Sequence, residues 1–288
     1  IMKPLFYIFS LFPKNMFIYF VDIYLYFRLY KFFASYKITK INIKIAFPEL
    51  TEFDVNLISK LSLRESFISA YETLFSWGRS PSSSNSMIFK IENNFLLHNL
   101  ITKNEGLLAV AIHNRSVDML LTWMNSQVQT TSLYKELKNQ HIERYVKRKR
   151  ELNGSKCYKT SIAGVRKIYK ALLDKRTVCF AADQVPKRGL GEYINFFNKE
   201  AYTTTLVQSL AAKTHAPVIY FFISSDINNF LYISLKQCNN AIYDDSKSQL
   251  LLNNDIENII RIRPTDYSWE YKRFKRNKTD SRDPYINI

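Results

Sequence analysis

Gly106-Leu-Leu-Ala-Val-Ala-Ile-His-Asn-Arg-Ser-Val-Asp118 changes character within a few residues. Gly106 to Ile112 is a continuous apolar run of strand length, the pattern of a buried parallel strand covered on both faces. His113 stands just past its end. Ser116 then suits a helix start, and Val117 to Met124 carries the helical pattern onward. Val178 to Ala182 repeats the arrangement, ending at Asp183, and Val218 to Ile223 gives a third apolar strand. Ile162 to Leu173 and Thr205 to Lys213 read as helices between them. Strands alternating with helices predict an α/β domain with a central, mostly parallel sheet flanked by helices. There is no internal repeat.

The same stretch carries the best candidate for chemistry. His113 and Asp118 sit at a strand terminus and in the first turn of the following helix, close enough for the turn to fold them together. A carboxylate accepting one imidazole N–H fixes the tautomer and raises the basicity of the other nitrogen, which then takes a proton from an attacking hydroxyl. A structural histidine capped by a helix residue is the plainer alternative. Position favours the chemical reading, because ligands of open α/β sheets collect at the carboxyl ends of strands, where both His113 and Asp183 are expected.

Upstream, Leu5 to Phe33 is rich in Phe, Tyr, Ile and Leu, broken by Pro13, Lys14, Asp22 and Arg28. No uncharged stretch of about 18 residues exists, so a clear transmembrane helix is not predicted. Two segments remain, Pro4 to Phe12 and Asn15 to Phe33, parted by a proline and a lysine. No small-residue cleavage site follows the run, so the segment is expected to be retained. Its tyrosines and flanking Lys31 and Lys37 suit a membrane boundary, although a buried aromatic helix has the same composition. Residues 1–37 are therefore assigned to a membrane-associated helical segment and 38–288 to one catalytic domain. In the latter, Phe53 to Trp77 reads as an amphipathic helix, ended by the loop Gly78 to Ser86.

Lys and Arg number 41 against 25 Asp and Glu, a net charge of +16. Such an excess concentrates anionic partners: nucleic acid, anionic lipid and phosphorylated sugar all qualify. The aromatics lie in apolar runs and do not alternate with Lys and Arg as a stacking platform would, which argues against nucleic acid. Cys157, Cys179 and Cys238 are odd in number and far apart, implying neither a zinc knuckle nor a full disulfide framework. They read as thiols in a reducing compartment.

Several segments resemble the lipid A biosynthesis acyltransferases, which add secondary fatty acyl chains to Kdo-lipid A. Asn42-Ile-Lys-Ile-Ala-Phe-Pro-Glu-Leu50 is similar to that family's Asn-x4-Phe-Pro-Glu-Leu segment, and His113 to Asp118 to its His-x4-Asp/Glu motif. Arg150-Glu-Leu-Asn-Gly154 resembles its Arg-x3-Gly element, and Ala182-Asp183-Gln184 its Asp-Gln at a strand end. Phe196-Phe197 with Thr203-Thr204-Thr205 follows, and Pro264-Thr-Asp-Tyr-Ser-Trp-Glu-Tyr-Lys-Arg-Phe-Lys275 is close to its carboxyl-terminal signature. The resemblance spans about Phe9 to Arg276. Asn114, Arg115, Ser116 and Val117 depart from the family's usual Phe and Gly-Asn-Trp, and Asn195 and Asn198 from its Pro and Gly, which bears on pocket shape.

The resemblance implies a glycerolipid-acyltransferase-like fold and a general base, His113, oriented by Asp118. It implies a donor thioester on acyl carrier protein or coenzyme A, with no other cofactor and no metal, and an acceptor hydroxyl on a lipid A precursor. The expected location is the cytoplasmic face of a Gram-negative inner membrane, among anionic lipids. Arg150 is the candidate for phosphate or oxyanion contact, with Arg115, Asp183, Gln184, Arg273 and Lys275 as further candidates. Arg150 also belongs to the basic run from Arg144, and Asp183 and Gln184 also suit a supporting role at the sheet terminus. An acyltransferase acting on another glycolipid or on a glycerophospholipid, and a non-catalytic membrane- or nucleic-acid-binding protein, remain the alternatives.

Overall fold

The computed structural model describes residues 2–197, 199–244, 247–276, 283–286 and 288; Asn198 lies outside them. Nine strands are present among these residues: β1 (Ile88–Glu92), β2 (Leu107–Ala111), β3 (Thr130–Tyr134), β4 (Lys156–Lys159), β5 (Thr177–Ala181), β6 (Gly191–Phe196), β7 (Lys199–Thr204), β8 (Val218–Ser225) and β9 (Leu231–Gln237). Seven form one sheet in the order β1-β9-β8-β2-β5-β3-β4, and β6 and β7 form a separate hairpin. Every pairing in the large sheet is parallel except β8 with β9, as the apolar runs predict. Three of the expected strands are β2, β5 and β8. The antiparallel β9, the edge strands β1 and β4, and β3 beside the latter lack comparably long apolar runs.

β2 is the centre of the sheet, and all five of its residues are buried. Leu108 and Val110 join one core cluster while Leu107, Ala109 and Ala111 join another, because side chains alternate across the pleat. The helices covering these faces, and those that precede them, are α1 (Met2–Ser10), α2 (Lys14–Tyr26), α3 (Ala34–Ala46), α4 (Glu52–Gly78), α5 (Pro81–Asn85), α6 (Asn94–Lys103), α7 (Val117–Gln127), α8 (Gln140–Arg150), α9 (Ile162–Leu173), α10 (Leu206–Thr214) and α11 (Ser248–Ile262). The first cluster draws on α3, α9, α10 and α11, the second on α6 and α7. Burying each such aliphatic side chain contributes about 1.5–3 kcal/mol. α7 starts as its sequence predicts, with the Ser116 hydroxyl accepting from the Met119 N–H at 3.1 Å.

Two sequence expectations change in detail. The loop after α4 contains a turn of helix, α5, because Ser80 caps it and Pro81 occupies its first position. The apolar segment Asn15 to Phe33 is not one helix. α2 ends at Tyr26, Arg28 takes a left-handed conformation at φ 59°, and α3 begins at Ala34, running through the 37/38 boundary.

Among the described residues no single helix is long and apolar enough to cross a membrane; α1 and α2 pass that test only as a pair bent by 83°. Both lie on α4. Phe9 and Phe17 contact the Tyr71 ring at 5.7 and 5.1 Å between centroids, and the Tyr71 hydroxyl donates to Phe12 O at 2.6 Å. At Gly78 a Cβ would meet Phe6 O at 2.3 Å, so only glycine permits this approach of α1. The outer face of the pair leaves Leu5, Ile8, Leu11, Tyr19 and Phe20 exposed.

The carboxyl-terminal signature closes the sheet end. Tyr267 bridges Asn114, Ser268 N donates to His113 O at 3.0 Å, and Asn42 Nδ2 donates to Trp269 O and Tyr271 O at 2.6 and 2.9 Å. Two motifs far apart in sequence thus meet: the segment after Asn42 and the segment around Trp269.

Candidate active site

β2 and β5 are parallel neighbours with Ala111 opposite Ala181, so His113 and Asp183, each two residues further on, emerge side by side. One Asp183 carboxylate oxygen accepts the His113 backbone N–H at 3.0 Å; the other lies 2.7 Å from Nδ1. Asp183 is fully buried, whereas the His113 side chain is 28% exposed, enough for one edge of the ring to reach a ligand. Burial opposes charging the imidazole, but the Asp183 carboxylate more than offsets it and raises the pKa above the ordinary histidine value. Burial likewise opposes charge on Asp183, and His113 outweighs it, holding that carboxyl below its usual range. The pair therefore favours an Nδ1–H donated to Asp183, which leaves the lone pair on Nε2. Gln184 Nε2 lies 3.2 Å from that nitrogen and is oriented to donate to it.

Asp118 is not the carboxylate that holds the imidazole. Its two oxygens are taken by Arg150, at 2.6 Å from Nε and 2.9 Å from Nη2, a bidentate match that a lone imidazole N–H cannot offer. The expectation that Asp118 orients His113 is corrected to Asp183; Asp118 acts on the ring only through its field, in the direction that raises its pKa. Arg150 ends α8, lies 5.4 Å from the Tyr134 ring centre, and keeps a side-chain exposure of 16%. It is largely buried and paired with Asp118, unlike a solvated member of the basic run.

Arg115 and Arg273 are also placed differently from expectation. The Arg115 guanidinium is wholly buried, held by Glu72 at 2.6 and 3.2 Å, by Glu65, by Asp266 at 3.3 Å and by Ser225 at 2.9 Å. Arg273 is buried too, donating to Tyr202 O and Thr203 Oγ1 at 2.9 and 2.8 Å, with Phe196 under its plane at 4.7 Å. Both lie out of solvent on protein acceptors, so neither is presented to substrate. The cause is burial: a guanidinium out of water must satisfy its donors inside the protein. Lys275 is exposed, 4.8 Å from the Tyr271 ring centre, and is not part of the histidine cluster.

Sequence reasoning missed Glu270. It accepts from Ser66 Oγ at 3.1 Å, burial pushes its pKa up, and its charge is felt by His113. The residue lay inside the carboxyl-terminal signature, but its approach to the imidazole requires that segment to pair with the His113 turn. Among the described residues no group of three His, Cys, Asp or Glu side chains is arranged to hold a metal ion, and Cys157, Cys179 and Cys238 are buried free thiols.

Chemically, the site offers a base with a defined tautomer at the carboxyl end of a sheet, and a guanidinium–carboxylate pair beside it. Residues 5–276 match the bacterial lipid A biosynthesis acyltransferase family. The chain belongs to that family. No curated protein matches it. As an acyltransferase of lipid A biosynthesis, it combines the family's His-x4-Asp spacing with an unusual interior, in which Arg115 is a buried structural ion and not a pocket residue.

Proposed function

We propose that this acyltransferase moves a fatty acyl chain from a thioester on acyl carrier protein, or on coenzyme A, to a hydroxyl of a lipid A precursor, with His113 as general base. The observation that carries the reading is the His113–Asp183 bond, which commits Nδ1 and leaves the Nε2 lone pair as the base on a side chain that is 28% exposed. The acceptor hydroxyl displaces Gln184 from Nε2, gives up its proton there, and its oxygen forms a bond to the thioester carbon. The resulting tetrahedral oxyanion collapses with loss of the C–S bond, and the imidazolium returns the proton to the leaving thiolate. Asp183 holds the tautomer and stabilises the imidazolium. Arg150, kept in place by Asp118, is suited to the oxyanion or to a phosphate of the acceptor.

The exposed apolar side chains of α1 and α2 support association of the amino-terminal segment with a bilayer, where a lipid acceptor resides. The basic α8 packs beside α1, Phe6 stacking on Tyr145 at 5.4 Å, so cationic residues lie near that apolar face and suit anionic lipid. The cytoplasmic face of the inner membrane, where acyl carrier protein is available, is the location this reading requires. Replacing His113 with Ala is expected to lower transfer to a Kdo-linked lipid A precursor by at least about 10²–10⁴-fold, the usual worth of a general base. Mass spectrometry of the product checks it; undiminished transfer by a folded variant ends the proposal, and transfer to glycerol 3-phosphate instead would redirect it.

A further inference from the structure

The turn that carries His113 is held by its own neighbour. Arg115 has φ 51°, a left-handed backbone conformation uncommon outside glycine, and its N–H donates to Asp266 O at 2.9 Å. The conformation is maintained from the side-chain end, where the guanidinium reaches Glu65, Glu72 and Asp266. Arg64 and Arg263 add charge at the Glu65 and Asp266 side of this cluster. The Glu72 side is different. Its fully buried carboxylate is shared between Arg115 and Lys14, whose Nζ lies 3.0 Å from Oε1 and also donates to Asn229 O at 3.0 Å. Burial opposes charge on Glu72; Arg115 and then Lys14 overcome it. Lys14 is the first residue of α2, so the ammonium arrives only when the apolar α1–α2 pair is seated on α4.

We propose that Lys14 and Arg115 are positioning residues for His113: Lys14, through Glu72, completes the ionic seat of Arg115, and Arg115 fixes the turn on which the imidazole approaches Asp183. Seating of the amino-terminal helical pair and the geometry of the catalytic base are thereby coupled. This rests on the reading of His113 as the base for acyl transfer.

The test uses the full chain in detergent, with a fatty acyl-acyl carrier protein and a Kdo-linked lipid A precursor as substrates. Lys14→Gln is expected to lower kcat by about ten- to hundredfold, the scale of a small misplacement of reacting groups, with little change in either KM. Lys14→Arg restores it. The groups facing the imidazole are Asp183 just past β5, Glu270 from the carboxyl-terminal segment, and Asp118 on α7 with its partner Arg150 on α8. Loosening the turn weakens the Asp183 bond, so the acid limb of the kcat profile moves to lower pH in Lys14→Gln. Mere loss of folded protein would scale the profile without moving its midpoint. Arg115→Lys, which keeps the charge and loses the fork, is expected to show the same downward movement, and its combination with Lys14→Gln to cost less than the product of the two. Wild-type kcat and midpoint in Lys14→Gln, no restoration by Lys14→Arg, or fully multiplicative effects overturn the proposal. If His113→Ala is inactive while Lys14→Gln is fully active, the coupling fails and the base survives; if His113→Ala is fully active, the reading beneath it fails.

Discussion

Arg115 and Arg150 both offer a guanidinium to carboxylates near His113, and they are used in opposite ways. Arg115 is surrounded: three carboxylates and a hydroxyl consume its donors, and its side chain has no exposure. Arg150 has one carboxylate, Asp118, and keeps an exposed edge. In both, burial opposes the charge and carboxylates overcome it, raising the pKa. The shared ion-pair chemistry therefore does not distinguish a structural cation from one available to substrate. Residual donors and residual exposure do.

The largest effect expected in this part of the molecule belongs to neither arginine but to the carboxylate that sets the tautomer. Asp183→Asn presents an amide to Nδ1 and removes the charge that favours the imidazolium. A rate loss of about 10³–10⁴-fold is expected, as for other His–carboxylate pairs. The sign of the pH effect follows from the raised pKa. A base must be neutral to accept a proton, so the wild-type rate rises as pH climbs through a midpoint above the ordinary histidine value, and without Asp183 that midpoint drops. Steady-state profiles of the residual activity measure it. An unmoved midpoint would mean that Asp183 does not set the basicity, and would reopen the choice between Asp183 and Asp118.

Next comes the contrast between the arginines. Arg150→Met is expected to cost about 10²-fold in kcat, the scale of a lost oxyanion donor, while a single carboxylate, Asp118, at the solvent-accessible edge of the protein loses its partner. Arg115→Met strands buried Glu65, Glu72 and Asp266 and is expected to cost about 3–5 kcal/mol of stability. Thermal melts alongside kinetics separate the two. A variant of Arg150 that melts early with normal turnover, or one of Arg115 that folds normally, would break the distinction.

How much of this was legible in the sequence follows the same physics. The apolar runs that became β2, β5 and β8 could be read because a strand covered on both faces has no reason to admit polar residues. The edge strands β1 and β4 carry Lys90 and Lys156 among their few residues and gave no such signal. His113 and Asp183 were each readable as strand-end residues, but their partnership depended on β2 and β5 being neighbours in register, which no local pattern encodes. Asp118 was nearer in sequence and was favoured for that reason; a helix between β3 and β4 brings Arg150 to it instead. Arg115 was invisible as a buried ion because its three carboxylates lie 43 to 151 positions away.

The smallest effect concerns two cations of the carboxyl-terminal signature that the sequence could not tell apart. Lys275 and Arg273 are two residues apart, both basic, and both were candidates for anionic ligands. Arg273 is buried against Phe196 with its donors on Tyr202 and Thr203, tying the β6–β7 hairpin to the carboxyl-terminal segment. Burial lowers its pKa, and its hydrogen bonds keep it in place. Lys275 is exposed and leans on Tyr271, a cation–π contact worth about 0.5–1 kcal/mol at such a site. Lys275→Gln should therefore shift the stability to urea by no more than about 1 kcal/mol and, if the exposed ammonium does not meet substrate, leave KM unchanged. A severalfold rise in KM for the phosphorylated acceptor, with stability intact, would make Lys275 a ligand contact and extend the available cations from Arg150 to the carboxyl terminus.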